Sequence, residues 1–398
     1  MALWRKCTFQ RRKIFVIAGI CILCGTAFMT QYVQDIDSKT APRRMGPLGP
    51  LSPPSKTSKL QKVILYWIPF NGNLWIESEK TLVTEQCPDS CAVITDKNDI
   101  ENADAVNFHL VDLWPDNWNI GTSETIPFPS YRRSDQVWIL TNQEPPTHMF
   151  GNLRVFNGLF NWTAWYRSDS VVQLPYGLPV ALTEQESTRM QQTTSKRNFF
   201  KEKTKEITGR ISNCKDQGKR YRLIRELQTY LDIDMYGGCY NNSCYGENCS
   251  HDLHKYKFYL SFENARCKDY VTEKYWEALR RNQIPIVNWN YSNINRTLVI
   301  PGSFISIYDF PSIRDFASYI QKVGSNETLY NSYFEWKNHY KDQTRCSSCE
   351  ICSRLHSNTS IHVIKDLDKW VRNDICPKVE VFNNLLDKID RRLFEWGW

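Results

Sequence analysis

The sequence predicts an α/β protein with two domains behind an N-terminal membrane anchor and a stem. Three observations predict this fold class. At 398 residues, the chain is long enough for two domains of ordinary size once its ends are discounted. Apolar runs typical of strands alternate with polar or helical stretches from residue 62 onward. Residues 255–289 form a complete strand, helix and strand pattern, whose two strands are expected to run parallel.

The first 30 residues have the pattern of a signal-anchor. Five basic residues precede Ile14 to Thr30, a 17-residue stretch without a charged residue. The positive-inside rule makes residues 1–13 a cytoplasmic tail, Ile14 to Thr30 a transmembrane span and the remainder lumenal. The alternative is a cleaved signal peptide, because Gly25-Thr26-Ala27 is an acceptable cleavage site. Since a span this short suits a thinner bilayer, we expect a single-pass type II protein of the Golgi membrane.

Composition predicts that an extended stem follows the anchor. Residues 31–60 are rich in Pro, Ser, Gly and Lys and cannot bury enough apolar surface to fold, so they should act as a spacer. Seven Asn-X-Ser/Thr sequons lie beyond the stem, which favours exposure to the lumen. The predicted glycan sites are Asn161, Asn241, Asn248, Asn290, Asn295, Asn326 and Asn358.

Eleven cysteines follow the anchor, an odd number, so at least one is unpaired or pairs with another chain. In a cytosolic protein the spacing Cys346-x2-Cys349-x2-Cys352 would suggest a zinc or iron-sulfur site. In an oxidising lumen, disulfides are the better interpretation. We expect some of these C-terminal cysteines to reach back to Cys87 and Cys91 and to clamp the end of the chain onto the first domain.

Residues 61–190 are expected to form the first α/β domain. Its last predicted strand is followed by Asn142-Gln143-Glu144-Pro145-Pro146. A carboxylate at the carboxyl end of a strand, next to two rigid prolines, is well placed to face a ligand cleft. The predicted strands of this domain are Val63–Ile68, Ala92–Thr95, Ala105–His109 and Gln136–Thr141.

Residues 191–370 are expected to form the second α/β domain, and residues 371–398 a C-terminal tail. A strand over residues 206–212 and a helix over residues 218–231 open the domain. Asp232 and Asp234 then form a D-x-D pair, which binds manganese in one large class of glycosyltransferases. We assign no metal to it, because the segment reads as an ordinary strand that ends in Tyr236-Gly237.

The central unit, residues 255–289, contains a strand over Phe258–Phe262, a polar loop and a helix that opens near Thr272. Its loop and first helical turn lie at the carboxyl end of a strand, where open α/β sheets bind ligands. The run FYLSFENARCKDYVTEKYWEAL resembles the donor-binding signature of the α-1,3-fucosyltransferases, on Phe262-Glu263-Asn264 and on Asp269 to Lys274. The segment Asn161 to Ser170 is also similar, although Ser168 stands where the family usually has a second arginine.

The resemblance implies a fold and an activity. The fold is the GT-B type, in which two Rossmann-like domains face a cleft, with the acceptor on the first domain and the nucleotide on the second. The activity is inverting transfer of L-fucose from GDP-β-L-fucose to the 3-hydroxyl of N-acetylglucosamine in glycans. No cofactor is required for this chemistry, and a divalent cation such as Mn²⁺ or Mg²⁺ is expected only to stimulate it.

The expected site residues have separate roles. Glu144 is the candidate general base, because an acceptor hydroxyl must lose its proton, and the family has a glutamate before a proline in the matching segment. Arg220 and Lys274, each in the first turn of a helix, are the candidate pyrophosphate ligands. Glu273 cannot bind phosphate, and its i+4 neighbour is also acidic, so we expect it to face the sugar. The resemblance adds two donor contacts, Asn264 and Tyr270.

Two other functions are compatible with these residues. Glu144 and Glu273 could be the paired carboxylates of a glycosidase, which leaves Arg220 and Lys274 without a role. The protein could also be an inactive, membrane-tethered glycan-binding protein of the same fold. A net charge of +7 without a compact basic and aromatic motif excludes nucleic acid as a partner. The sequence leaves a homodimer open, and it does not distinguish an N-glycan core acceptor from a Lewis-type antenna.

Overall fold

The structure is a computed structural model. It describes residues 51–52, 61–68, 76–113, 128–149, 153–214, 220–242, 244, 249, 252–344, 346–357 and 362–377. The predicted tail, the anchor Ile14 to Thr30, most of the stem and residues 378–398 lie outside the described residues. No helix within the described ranges is both long and apolar enough to cross a bilayer.

The first domain is built on a six-stranded parallel sheet. Its strands pair in the order β2-β1-β3-β4-β5-β6, and every pairing is parallel. All five residues of the third strand are buried, because both faces of the sheet are covered. The strands are β1 (Lys62–Ile68), β2 (Cys91–Ile94), β3 (Ala105–His109), β4 (Val137–Asn142), β5 (Trp162–Trp165) and β6 (Val172–Gln173), and helix α1 (Ile76–Gln86) lies between the first two.

After β7 (Leu178–Ala181) and helix α2 (Glu184–Thr194), a second parallel sheet begins. Its five strands pair in the order β9-β8-β10-β11-β12. The predicted parallel strand-helix-strand unit is its centre. The strands are β8 (Lys205–Arg210), β9 (Ile233–Tyr236), β10 (Tyr256–Ser261), β11 (Ile284–Val287) and β12 (Ile305–Ser306), and the helices of this domain are α3 (Arg220–Gln228), α4 (Glu273–Arg280), α5 (Ile313–Ser325) and α6 (Glu327–Ser332).

Direct contacts join the two sheets. Strand β13 (Tyr340–Gln343) pairs antiparallel with β7. Gly177 lies against the Trp276 ring, and a Cβ atom on that glycine would be 2.5 Å from the ring. The Ser168 hydroxyl of the first domain donates a hydrogen bond to Asp269 of the second. The two domains therefore meet through packed backbone and polar contacts beside the predicted cleft.

The C-terminal segment returns to the first domain. Helix α7 (Ser347–His356) packs against α1 and β1, and helix α8 (Leu367–Arg372) contributes Leu367 and Val371 to the core around Trp138. Residues after 344 therefore join the first sheet, whereas the sequence predicted that the second domain continues to residue 370. The predicted cysteine clamp already implied that the end of the chain returns to the first domain, but chain order alone did not show which sheet the late helices cover.

Disulfides confirm the predicted clamp. Cys87 pairs with Cys349 and Cys91 with Cys352, across 262 and 261 residues of sequence. Three further bonds lie within the second domain or close the C-terminus, namely Cys214 to Cys239, Cys244 to Cys249 and Cys267 to Cys376. Cys346 is the free cysteine among the described residues.

Removal of both bonds of the clamp should lower the free energy of unfolding by about 2 to 5 kcal/mol, because only then does the unfolded chain lose the closure of the long loop that each bond makes. The quadruple variant Cys87→Ala/Cys91→Ala/Cys349→Ala/Cys352→Ala, compared with wild type by urea denaturation, measures this loss. The matched control is Cys244→Ala/Cys249→Ala. It removes a bond between cysteines only 5 residues apart in sequence, so it should lower the free energy of unfolding by less. An equal loss in the two variants would contradict the loop-length argument.

Candidate active site

Glu144 follows the carboxyl end of β4, and its backbone is held from three sides. Its N–H donates to the Asn142 side-chain oxygen at 3.2 Å, and its carbonyl oxygen accepts from the same carboxamide at 2.9 Å. The Trp165 indole donates to that carbonyl at 3.0 Å. The side chain is 46% exposed, and one carboxylate oxygen lies 2.7 Å from His148 Nδ1. A fixed backbone with a solvent-facing carboxylate suits a general base.

The loop after β10 supplies a second carboxylate, which is buried. Glu263 is 1% exposed, and its oxygens accept from the Thr272 backbone N–H at 2.7 Å and from the Thr272 hydroxyl at 2.8 Å. Its own backbone is fixed by the Asn288 carboxamide. Burial raises the pKa of Glu263, although the charge of Lys274 acts against that rise. Glu263 therefore anchors Thr272, the residue before the first turn of α4.

Lys274 in that first turn lies in a cage of oxygens. Its ammonium donates to the Thr272 hydroxyl at 2.9 Å and to Glu273 at 2.9 Å, and it lies 3.5 Å from Glu263. Burial disfavours the charged ammonium, but the two carboxylates outweigh burial and raise the pKa of Lys274. The side chain is 18% exposed, so a fixed positive charge faces the site.

Glu273 is the outer carboxylate of this cluster. Its side chain is 47% exposed. Burial acts to raise its pKa, but the Lys274 charge and hydrogen bonds prevail, so the pKa of Glu273 lies below its usual value. Glu273 is therefore ionised at neutral pH, as a residue that stabilises positive charge must be.

Arg220, the first residue of α3, is buried below this cluster. It is 1% exposed, and its guanidinium donates to the carbonyl oxygens of Phe262 and Asn213. Its charge acts on Lys274, so the structure brings the two predicted pyrophosphate cations into one electrostatic cluster. Because Arg220 bonds the carbonyl just before Glu263, it also supports the loop that carries the site.

Two tyrosines, Tyr176 of the first domain and Tyr270 of the second, lie within electrostatic reach of carboxylates of both domains. The Tyr176 and Tyr270 rings are 6.3 Å apart in an edge contact. Burial raises the pKa of Tyr176 well above its usual value, and the charges of Glu273, Glu144 and Glu263 raise it further. The pKa of Tyr270 is also raised, by burial, by Tyr176 and by the same three carboxylates. The predicted base and the carboxylates of the predicted donor cluster therefore lie close enough to this tyrosine pair for both to act on its pKa values.

Asn264 completes the predicted set. It is 7% exposed, and its side-chain oxygen makes no hydrogen bond to any described residue. Buried polar atoms are almost always bonded, so this acceptor has capacity for one further hydrogen bond, and the donor contact of Asn264 stays a prediction. All six predicted site residues thus lie at the carboxyl ends of the two sheets, at their contact.

One member of the acidic pair that was assigned no metal, Asp234, is bonded to neighbouring side chains. Asp234 accepts from the Tyr256 hydroxyl and from Lys205 at 3.1 Å. Within the described ranges, the groups of Cys and His close enough to hold a metal all include cysteines that already form disulfides.

One predicted glycan site requires correction. Asn161 is 5% exposed, and its side-chain oxygen accepts from the Trp138 backbone N–H at 2.8 Å and from Arg132 at 2.7 Å. The folded chain has no room for a glycan there, which argues against Asn161. Asn248 and Asn358 lie outside the described residues. Four sites with side chains at least partly exposed stay predictions, namely Asn241, Asn290, Asn295 and Asn326.

Sequence reasoning missed His148, Tyr176 and Thr272. The sequence did contain a signal for His148. It stands four residues after Glu144, and a short helical turn brings residues at that spacing together. Tyr176 follows the segment that resembles the family, but its partner Tyr270 is 94 residues later. Only the meeting of the two domains shows that it belongs to the site.

Two family models match this chain. One, described as glycosyltransferase family 10 (fucosyltransferase) C-term, matches residues 200–370, and the other, described as fucosyltransferase, N-terminal, matches residues 59–177. Alpha-(1,3)-fucosyltransferase C of Drosophila melanogaster is 31% identical over 340 residues, which cover 78% of this chain and 77% of the relative. Alpha-(1,3)-fucosyltransferase fut-6 of Caenorhabditis elegans is 32% identical over 323 residues, covering 76% and 78%. A solved α1,3-fucosyltransferase with GDP-fucose has a TM-score of 0.46 and 14% identity, covering 83% of this chain and 97% of that one.

Proposed function

The chain belongs to glycosyltransferase family 10, the fucosyltransferases, and on this premise we propose that it transfers L-fucose from GDP-β-L-fucose to the 3-hydroxyl of N-acetylglucosamine in glycans. The relatives named alpha-(1,3)-fucosyltransferases support the sugar and the linkage. Two cations in one cluster, Arg220 and Lys274, suit a leaving group that carries a pyrophosphate.

One observation of the geometry carries the proposal. Glu144 on the first domain and Glu263 and Glu273 on the second domain act electrostatically on the same tyrosine pair, and Lys274 contacts both carboxylates of the second domain. A base and a cationic donor site on opposite sides of one cleft is the arrangement that a direct displacement between two substrates needs.

The reaction then follows from the position of each group. The acceptor hydroxyl attacks the anomeric carbon of fucose and gives its proton to Glu144. As the bond to GDP breaks, Lys274 and Arg220 neutralise the charge on the departing pyrophosphate, while Glu273 faces the positive charge that develops on the sugar. Attack opposite to the leaving group inverts the anomeric configuration. No cofactor takes part in the proposed chemistry, and Mn²⁺ or Mg²⁺ would only stimulate turnover.

The proposal includes a location. A type II protein of the Golgi membrane with its catalytic part in the lumen is supported by the basic residues before Ile14 to Thr30 and by the sequons. Five disulfides among the described residues add support, because such bonds persist in oxidising compartments. A homodimer stays a prediction from the sequence.

A direct assay tests the function. The full chain is incubated with GDP-fucose and a panel of N-glycan core, LacNAc and LacdiNAc acceptors, and the products are mapped by mass spectrometry. We expect fucose on the 3-hydroxyl of N-acetylglucosamine in at least one acceptor. Binding of GDP without transfer to any acceptor would instead support the inactive glycan-binding protein, and hydrolysis of the acceptors would support the glycosidase.

A further inference from the structure

Among the described residues, the His148 side chain makes one hydrogen bond, and that bond goes to the proposed base. Its Nδ1 atom lies 2.7 Å from the second carboxylate oxygen, Oε2, of Glu144. The histidine side chain is 9% exposed, and its Nε2 atom is buried without a hydrogen-bond partner among the described residues. Burial of an unpaired polar atom costs free energy, so this imidazole must be held in place by its neighbours.

The geometry selects one form of the ring. A proton on Nε2 would bury an N–H without an acceptor, whereas a proton on Nδ1 points at a carboxylate oxygen. The neutral ring protonated on Nδ1 is therefore the form that fits.

The other residues that contact residues 143 and 144 bond their backbone and leave the Glu144 side chain free. Asn142 and Trp165 bond the backbone of Glu144, and the Tyr176 hydroxyl donates to the carbonyl oxygen of Gln143 at 3.1 Å. Among the described residues, His148 alone bonds the carboxylate. Without it, the half-exposed side chain can rotate away from the cleft.

We propose that His148 is a positioning residue for the transfer reaction, whose Nδ1–H fixes Oε2 of Glu144 and so presents the other oxygen, Oε1, to the acceptor. This inference rests on the proposed function. The acceptor proton goes to Oε1, the freed electron pair of the acceptor oxygen forms the new bond to the anomeric carbon, and GDP leaves with the electrons of the old bond. His148 exchanges no proton in this step.

Two substitutions separate the hydrogen bond from the packing. His148→Phe keeps a ring but removes the donor, and His148→Asn places an amide N–H near the position of Nδ1 while it loses the ring closure and the unpaired Nε2. We expect His148→Phe to lower kcat by about 10- to 100-fold, as when a group that orients a functional side chain is removed. KM for GDP-fucose should be unchanged, and His148→Asn should return kcat to within about threefold of wild type. If His148→Phe fails to fold, His148→Leu replaces it.

The matched control is His109→Phe. His109 ends the neighbouring strand β3, is also 9% exposed, and also holds a carboxylate at 2.7 Å, that of Asp112. This variant should lose stability, measured by thermal unfolding, without the drop in kcat. Three outcomes would overturn the inference while the proposed function stands, namely full kcat in His148→Phe, no recovery in His148→Asn, or an equal drop in His109→Phe. A wild-type chain that binds GDP but transfers no fucose would overturn both.

Discussion

Replacement of Glu144 by glutamine should lower kcat by about 10²- to 10⁴-fold, the usual contribution of a positioned general base. Glutamine has the size of glutamate and can keep the contact to His148, but it cannot take a proton from the acceptor. Because the donor cluster lies on the other domain, the dissociation constant for GDP should change by less than about twofold. Steady-state kinetics with a saturating acceptor, together with calorimetry of GDP binding, measure the two quantities separately.

The control for this variant is Glu101→Gln, an exposed glutamate of the same domain. It should keep the kcat of the wild type, which shows that the loss does not come from removal of one negative charge. Near wild-type turnover in Glu144→Gln with intact GDP binding would mean that another group takes the proton, and the assignment of Glu144 would have to be given up.

Replacement of Lys274 by methionine should weaken GDP binding by about 10- to 150-fold, which corresponds to the roughly 1.5 to 3 kcal/mol of a charged hydrogen bond. The variant should also be less stable, because Glu263 then loses the cation that offsets its burial. Glu263 has a raised pKa in the folded chain, and a raised carboxyl pKa means that stability falls as pH increases. The stability defect of Lys274→Met should therefore grow from acidic to neutral pH.

A double variant separates the two effects. Lys274→Met/Glu263→Gln replaces the buried charge by a neutral side chain, so it should recover most of the lost stability and none of the lost GDP affinity. The matched control, Lys268→Met, removes an exposed lysine from the same loop and should change neither quantity. Wild-type GDP affinity in Lys274→Met would show that the ammonium serves only to compensate Glu263, and the donor assignment would fail.

Local pattern predicted the elements that carry the site. The apolar runs gave the strands that end before Glu144 and Glu263, because parallel strands buried on both faces need continuous apolar sequence. The start of α4 at Glu273 also followed from sequence, since a polar loop and Thr272 precede an amphipathic run. The clamp of the C-terminal cysteines onto Cys87 and Cys91 was predicted as well.

What the sequence could not predict depends on contacts between distant residues. The sequon at Asn161 is a local pattern, but its burial comes from the Trp138 backbone in the neighbouring strand. Lys274 looked like a free cation in a first helical turn, and only the folded loop shows that Glu263 lies 3.5 Å from it. The cysteines predicted that the C-terminal segment is tied to the first domain, but not that helix α8 adds Leu367 and Val371 to the core around Trp138.

The cysteine clamp also sets an order of events during synthesis. Cys87 and Cys91 leave the ribosome long before Cys349 and Cys352, which follow 262 and 261 residues later. At about 5 to 20 residues per second, translation of that interval takes on the order of 13 to 50 s. During this time the first sheet must stay with two unpaired thiols and without the helix that covers it.

When the partners arrive, Cys346 arrives with them, and its sulfur lies within 4.8 Å of those of Cys87 and Cys349. Correct maturation of this chain therefore depends on a choice among three neighbouring thiols that is made only after Cys346 to Cys352 have been synthesised.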